Sequence, residues 1–147
     1  SVGTVSTSGI QINSFGVGTA PSGVSGEIRA TGNVTAGYSD FRLKDVLGTI
    51  DNALARLGQL NGVFYTQSKL AEDFGYNDYS KQAGLIAQEV QVALPEAVRP
   101  APFDMDGDNA SKSGENYLTV QYQMIIPLLV EAVKELKREI DSMRGER

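Results

Sequence analysis

An apolar stripe near the C-terminus constrains the fold of this chain more than any other feature. Its members recur at spacings of three, four, three, four and three, and they are Ile126, Leu129, Val133, Leu136, Ile140 and Met143. These spacings are typical of the a and d positions of a coiled coil, and charged residues occupy most positions between them. We therefore predict a helix over residues 121–144 that packs against identical helices. The seam residues favour three strands over two without fixing the number.

The first 38 residues have a different composition from the remainder. Gly, Ser, Thr and Val dominate, Lys is absent, and residues 11–13 and 27–34 alternate between apolar and polar side chains. Alternation interrupted by Gly indicates short strands joined by tight turns. Such strands bury little surface alone, so we expect other chains or neighbouring turns to cover them. A flexible Gly/Ser linker is the alternative interpretation.

A second helical stripe follows this segment. Its spacings of four, three, four and three predict a helix from Leu43 to about Asn61, whose first turn Ser39 or Asp40 would cap; the stripe comprises Leu43, Leu47, Ile50, Leu54 and Leu57. Further elements are a strand at 63–66, a helix at 84–94 ended by Pro95, and a strand at 117–120. The predicted fold class is α+β, mainly helical after residue 38.

Composition excludes several classes of function. A net charge of -5 argues against binding of nucleic acid, which requires clustered Lys and Arg. The chain has no His and no Cys, which rules out a Ser-His-Asp triad and removes the usual zinc and haem ligands, so we expect no metal and no cofactor. The longest apolar run, residues 124–130, is too short to span a membrane. The acidic residues 104–108 do not fit an EF-hand, and we predict a solvated turn there.

Ser39 and Lys44 flank the change in composition and offer a nucleophile and a base. The competing interpretations are a helix cap for Ser39 and a surface charge for Lys44. On a regular helix, residues five apart are rotated by about 140°, so either the chain bends back at Ser39 or Lys44 serves a neighbouring subunit. A lysine that acts as a base must be neutral, and the charge of Arg42 or burial in an apolar interface would lower its pKa.

Four segments of the chain closely resemble, in the same order, the intramolecular chaperone auto-processing domain of bacteriophage tail fibres and spikes. This domain is also called peptidase S74 or the endosialidase-type C-terminal domain. The segments are residues 39–44, 84–90, 95–98 and 122–140. The resemblance implies that Ser39 is the nucleophile, that Lys44 is the general base, and that the bond between Tyr38 and Ser39 is cut. Four further residues match the motifs and would support the site or the trimer contact: Asp40, Arg42, Gln88 and Glu89.

The resemblance also implies a division of labour along the chain. Residues 1–38 would form the end of an intertwined β-structured fibre stem, and residues 39–147 would form the chaperone that trimerises and holds the stem strands in register. The partners would then be two further copies and the chain's own upstream segment. The domain would act in the host cytoplasm during virion assembly, and the fibre would remain in the virion tail after release.

Three alternatives differ from this hypothesis in class. One is a structural trimerisation cap that stays attached, with Ser39 serving only as a helix cap. A second is a receptor-binding fibre tip that holds a host glycan with the loops at residues 67–82 and 99–116. The third is a membrane-bound transcription factor that carries the same processing domain, against which the Gly-rich upstream segment argues. The chain begins with Ser rather than Met, so we expect it to be part of something longer.

Overall fold

The computed structural model describes residues 14–24, 26–35, 37, 39–106, 108 and 110–145. The chain divides into two compact units, Ser1–Val46 and Leu47–Arg147, which we call the N-terminal unit and the C-terminal unit. Each is described by itself. The alternation predicted at residues 11–13 lies outside the described residues.

Two short strands pair in the N-terminal unit. Strand β1 (Phe15–Val17) runs parallel to β2 (Ile28–Ala30), with Phe15 opposite Ile28. The predicted short strands are thus present, but residues 18–27 join them as a longer connection, because a tight hairpin turn can only connect antiparallel strands. Phe15 and Ile28 are exposed, so this pair has little core of its own.

The helix predicted from Leu43 to Asn61 is wrong over most of its length. A single 3-10 turn covers Phe41–Leu43, residues 44–52 are not helical, and helix α1 covers only Ala53–Leu57. Positive φ angles at Gly48 (154°) and Asn52 (49°) interrupt any continuous helix. The stripe is divided as a result: its later members pack on the core, whereas Leu47 is fully exposed.

The C-terminal unit alternates short helices and strands before one long helix. In order, its elements are α1, β3 (Val63–Tyr65), α2 (Lys69–Glu72), β4 (Gln82–Gly84), α3 (Ala87–Ala93), β5 (Val98–Pro100), β6 (Leu118–Val120) and α4 (Ile125–Gly145). Strands β3 and β4 form one antiparallel pair, and β5 and β6 form another. The α+β class is confirmed, with short strands and a long C-terminal helix.

The helix predicted at residues 84–94 begins later than expected. The segment predicted as a helix from Gly84 begins as strand β4, and α3 starts only at Ala87, although Pro95 follows its end as expected. A Cβ at Gly84 would lie 2.7 Å from the Tyr122 hydroxyl, so a larger residue there would displace this ring, whose hydroxyl accepts the Leu85 N–H at 2.9 Å. The strands predicted at 63–66 and 117–120 are confirmed within a residue.

The core of the C-terminal unit joins α1, α3, the β5–β6 pair and α4. Its buried apolar residues are Ala53, Val90, Leu94, Ala97, Val98, Ile125, Leu128 and Ala132. Leu128 and Val90 are the largest fully buried side chains. Apolar burial is the main favourable contribution to folding, so this cluster carries most of the stability of the unit.

Helix α4 has two apolar faces. Ile125, Leu128 and Ala132 are buried against the rest of the C-terminal unit. The predicted seam lies on different positions of the helix, and most of its members are exposed, including Ile126 (59%) and Val133 (64%). Pro127 falls in the first turn, where a missing N–H disrupts no intrahelical bond. The predicted helix is confirmed from Ile125 onwards rather than from residue 121, and most of its outer seam is exposed in the single chain.

The acidic loop is organised by a buried carboxylate, so the predicted solvated turn is wrong for its first residue. Asp104 is 2% exposed and accepts hydrogen bonds from the Ser111 hydroxyl (2.6 Å) and from the N–H groups of Ser113 (2.9 Å) and Tyr117 (3.3 Å). The Ser111 hydroxyl above all, with these N–H groups, holds the pKa of Asp104 at about 2. The Asp104 side chain therefore joins three residues of the loop, Ser111, Ser113 and Tyr117.

Candidate cleavage site

The turn at residues 39–44 brings the two predicted catalytic side chains together. Leu43 N–H donates to the carbonyl oxygen of Asp40 (3.0 Å), and Lys44 N–H donates to that of Phe41 (3.2 Å). Asp40 enters and Lys44 leaves this 3-10 turn with extended backbone angles. Lys44 Nζ then lies 2.7 Å from Ser39 Oγ. The chain bends back at Ser39, which is one of the two geometries considered from the sequence.

Asp40, and not Ser39, caps the turn. Its Oδ1 accepts the Arg42 N–H at 2.9 Å and Arg42 Nε at 3.0 Å, while Oδ2 accepts Nη2 at 2.7 Å. The Arg42 side chain and then its backbone N–H lower the pKa of Asp40. Two of the four predicted supporting residues thus form one compact ion pair beside Ser39 and Lys44.

The electrostatics of the turn differ from the sequence-based expectation. Arg42 was expected to supply a positive charge near the lysine, but its guanidinium is paired with the Asp40 carboxylate, which compensates that charge. Ser39 and Lys44 are exposed in the single chain. The amine and hydroxyl are therefore in hydrogen-bond contact at a position open to solvent.

The other two supporting residues belong to the C-terminal unit. Gln88 is exposed on α3, and Glu89 accepts hydrogen bonds from the backbone N–H (2.9 Å) and side-chain amide (3.1 Å) of Asn61. Glu89 therefore anchors the chain after α1, which is a structural contact within its own unit. Tyr38, on the other side of the predicted scissile bond, lies outside the described residues.

Sequence reasoning missed a carboxylate that connects α4 to α1. Glu135 accepts the N–H groups of Ala53 (3.0 Å) and Leu54 (2.7 Å), whereas the preceding Asn52 makes no side-chain cap. The Leu54 and Ala53 N–H groups lower the pKa of Glu135. No local signal could have found this contact, because its partners are 81 and 82 residues apart in the sequence.

Two other kinds of site were considered in the described part of the chain. No cluster of three or more acidic, His or Cys side chains there could hold a metal ion. None of the helices described combines the length and apolar character needed to cross a bilayer. An open groove of about 430 Å³ lies in the C-terminal unit, where the rings of Phe74, Phe103 and Tyr117 pack with centroids 4.7–5.7 Å apart.

Comparison with known proteins gives one family match and several phage relatives. Residues 39–99 match the model of the family described as chaperone of endosialidase, Peptidase_S74, and the match begins at Ser39. The long tail fiber proteins Gp37 of Enterobacteria phages K3 and T2 are each 39% identical over 107 residues, or 73% of this chain. Gp37 of Escherichia phage AR1 is 36% identical over 97 residues, or 66% of this chain.

The aligned part is a small fraction of these relatives, 8% of the K3 protein, 7% of the T2 protein and 8% of the AR1 protein. The family match and the relatives together confirm the predicted resemblance. The chain carries a chaperone domain of the Peptidase_S74 family, of the kind associated with phage tail fibres.

Proposed function

We propose that this chain is the C-terminal intramolecular chaperone of a phage tail fibre, which trimerises, aligns the upstream β segments and then cuts itself between Tyr38 and Ser39. The observation that carries the proposal is the 2.7 Å contact between Lys44 Nζ and Ser39 Oγ, at the residue where the family match begins. A hydroxyl in hydrogen-bond reach of a base is the arrangement that activates a serine nucleophile.

The proposed chemistry needs this turn, the carbonyl group of Tyr38 and one water molecule. Neutral Lys44 takes the proton of the Ser39 hydroxyl, and Oγ attacks the carbonyl carbon of Tyr38. The bond from that carbon to the Ser39 nitrogen breaks, the nitrogen takes up a proton from Lys44, and the Tyr38 acyl group becomes an ester on Oγ. Water then hydrolyses the ester, leaving a carboxylate on Tyr38 and a free amino group and hydroxyl on Ser39.

Assembly is the step that would activate this exposed turn. Ser39 and Lys44 are exposed in one chain, as are the neighbouring apolar side chains of Phe41, Leu43 and Leu47. If further chains cover these residues, water leaves the site and the neutral form of a lysine is favoured. Cleavage would then follow folding, because the turn becomes reactive only within the assembled trimer.

Trimerisation is supported by the outer face of α4. Its apolar stripe is exposed over the length of the helix even though the same helix already buries Leu128 and Ala132 in its own unit. A second apolar face on one helix requires a second partner, and the a/d spacing fits identical helices. Two further copies of the chain are the proposed partners.

Alignment of the upstream strands is the proposed use of the trimer. Strands β1 and β2 pair in parallel and leave Phe15, Val17 and Ile28 exposed, as expected of a stem that intertwines with other chains. Pairing between chains must find one register among many, and closing such long-range contacts is entropically costly. Clustering three C-terminal units raises the local concentration of the strands. These events would take place in the host cytoplasm, and the stem would remain in the virion tail.

Intact-mass measurement of the freshly synthesised chain tests the cleavage. We expect two fragments, one ending at Tyr38 and one beginning at Ser39, and Ser39→Ala should abolish both while leaving a folded chain. Ser80→Ala, which changes an exposed serine of the C-terminal unit, is the matched control and should be cut normally. An uncut wild-type chain that is folded and trimeric would instead support a permanent structural cap.

Sedimentation of Ser39→Ala protein at micromolar concentration tests the trimer. Val133→Ser should weaken association, because it removes an exposed apolar side chain from the seam, whereas Lys134→Ser on the adjacent position should not. Lys134→Ser loses more helix propensity than Val133→Ser, so weaker association of Val133→Ser alone would be due to the lost apolar side chain. A monomeric parent protein would contradict the proposal.

The aromatic groove supports a second candidate function, a receptor-binding fibre tip. It is lined by rings and hydroxyls, including Tyr65, Tyr76, Phe103 and Tyr117, and such surfaces suit the apolar faces and hydroxyls of sugars. Persistence of the domain on mature particles together with glycan binding that Tyr76→Ala weakens would favour this candidate over the released chaperone.

A further inference from the structure

The reactive turn depends on a contact that involves neither proposed catalytic side chain. Ser39 and Lys44 are separated by four residues, and a regular α-helix would direct them to different faces. In the structure, one 3-10 turn at Phe41–Leu43 followed by extended backbone at Lys44 brings Nζ back to Oγ. A short 3-10 turn has poorer hydrogen-bond geometry than an α-helix, so side-chain contacts can add to its stability.

Asp40 supplies that support through Arg42. One carboxylate oxygen accepts the Arg42 N–H and Nε, and the other accepts Nη2, so the guanidinium is held in a two-point fork while the backbone is capped. Forked contacts of this kind fix orientation more strictly than a single ion pair with lysine. The backbone N–H and the side chain of one residue are thus both fixed by its neighbour two positions earlier.

Exposure limits what this pair contributes to overall stability. The Arg42 side chain is 85% exposed and that of Asp40 is 42% exposed. Exposed ion pairs contribute little to the free energy of unfolding, and the core lies entirely in the C-terminal unit. The effect of the pair is therefore local, and its removal should alter the geometry of the turn without unfolding the domain.

We propose that Asp40 and Arg42 are positioning residues of the cleavage site, whose forked ion pair holds the 39–44 turn in the conformation that keeps Lys44 Nζ against Ser39 Oγ. The inference rests on the proposed self-cleavage and adds to it the device that assembles the two reacting groups. It assigns Arg42 a geometric role, in contrast to the role of a positive charge acting on the lysine.

The experiment follows cleavage of the full 147-residue chain in cell-free synthesis, by the ratio of intact chain to the 39–147 fragment over time, across a range of pH. A misplaced reacting group costs on the order of 100-fold in rate, so Arg42→Ala should slow cleavage about 10²-fold. Arg42→Lys keeps the charge but loses the fork, and it should be slowed comparably. Asp40→Asn retains an oxygen for the Arg42 N–H and should fall between wild type and Asp40→Ala.

The pH profile separates positioning from electrostatics. Positioning predicts lower rates at every pH with an unchanged midpoint. A charge effect predicts that Arg42→Ala moves the alkaline rise of the rate to higher pH, because a lost positive charge makes the amine harder to deprotonate, and that Arg42→Lys behaves as wild type. That second pattern would overturn the proposal. Unfolding midpoints of the same variants in a Ser39→Ala background should be unchanged, and a fall that tracks the rate would also overturn it.

A matched control lies in the same unit. Arg29 Nε pairs with Glu27 Oε1 at 2.9 Å with the same two-residue spacing, but away from the turn, and its side chain is 51% exposed against 85% for Arg42. Arg29→Ala should be cut at the wild-type rate. If wild type is not cut, the self-cleavage itself fails and the positioning role falls with it. If wild type is cut, Ser39→Ala is not, and Arg42→Ala is cut at the wild-type rate, only the positioning role fails.

Discussion

The turn at residues 39–44 and the core of the C-terminal unit are stabilised in opposite ways. The turn is built from short-range polar contacts between exposed side chains, all within six positions of sequence. The core buries Val90 and Leu128 completely and joins elements far apart in the chain. The difference indicates that separate contacts stabilise the turn and the core, so a substitution in the turn should leave the stability of the core unchanged.

The largest expected effect comes from removing the proposed base. Lys44→Ala should slow self-cleavage by about 10²–10⁴-fold, the usual contribution of a general base, because the Ser39 hydroxyl loses its proton acceptor. The unfolding midpoint of the C-terminal unit should not change, since Lys44 is exposed and lies outside it. Time-resolved intact mass and urea unfolding check the two halves of this prediction.

Lys112→Ala provides the control for that substitution. Its side chain is also exposed, but it belongs to the loop of the C-terminal unit. It should leave both the rate and the unfolding midpoint unchanged. Cleavage of Lys44→Ala at the wild-type rate would remove the lysine from the mechanism and leave its contact with Ser39 as a surface hydrogen bond.

A substitution in the core should have the opposite effect and lower the stability of the C-terminal unit. Leu128→Ala removes a fully buried side chain from α4 and should lower the free energy of unfolding by about 2–5 kcal/mol. Urea denaturation at one fixed protein concentration, in a Ser39→Ala background that keeps the chain intact, is the measurement. Val92→Ala on the exposed side of α3 should change it by no more than about 0.5 kcal/mol. Equal effects of the two substitutions would show that Leu128 is not a core residue.

The long helix and the strands at 63–66 and 117–120 could be predicted from the sequence. The proximity of Ser39 and Lys44 could be predicted only as one of two alternatives. The helix and strands follow from periodicity, which reports local amphipathic structure. The prediction of a helix from Leu43 was wrong for two reasons. Spacing alone cannot show that part of an apolar stripe is exposed, as Leu47 is, and it cannot show that the backbone at Gly48 is not helical. Asp40 and Arg42 were predicted as supporting residues from their match to a motif, but the ion pair between them could only be obtained from the structure.

Acid should loosen the C-terminal unit through Asp104. Its folded pKa of about 2 lies below the ordinary value of 3.8, so the carboxylate stabilises the fold above about pH 4, and this contribution is lost as the pH falls from about 4 to 2. Asp104→Asn should remove that part of the pH dependence and increase hydrogen exchange over residues 101–117, because an NH₂ group replaces one of the two oxygens that accept the hydrogen bonds of the loop.

Asp108→Asn is the matched control, since it changes an exposed carboxylate of the same loop. Exchange over residues 101–117 should remain as in the parent protein. If both variants lost protection equally, the loop would respond to its total negative charge, and the particular hydrogen bonds of Asp104 would not be the cause.

The smallest effect is expected at the contact between α4 and α1. Glu135→Gln leaves one acceptor oxygen for the N–H groups of Ala53 and Leu54, so the free energy of unfolding should fall, by less than in Leu128→Ala. The folded pKa of Glu135 is lowered, so its contribution is present above about pH 4.5 and is lost as the pH falls below that value. Glu139→Gln, one turn further along the exposed side of α4, should leave stability unchanged.

Because Glu135 belongs to the C-terminal unit, a loss of stability in Glu135→Gln with cleavage at the wild-type rate would sharpen the separation of the two regions. A slowed cleavage would show that the position of α1 reaches the reactive turn, and the comparison between an independent turn and an independent core would no longer hold.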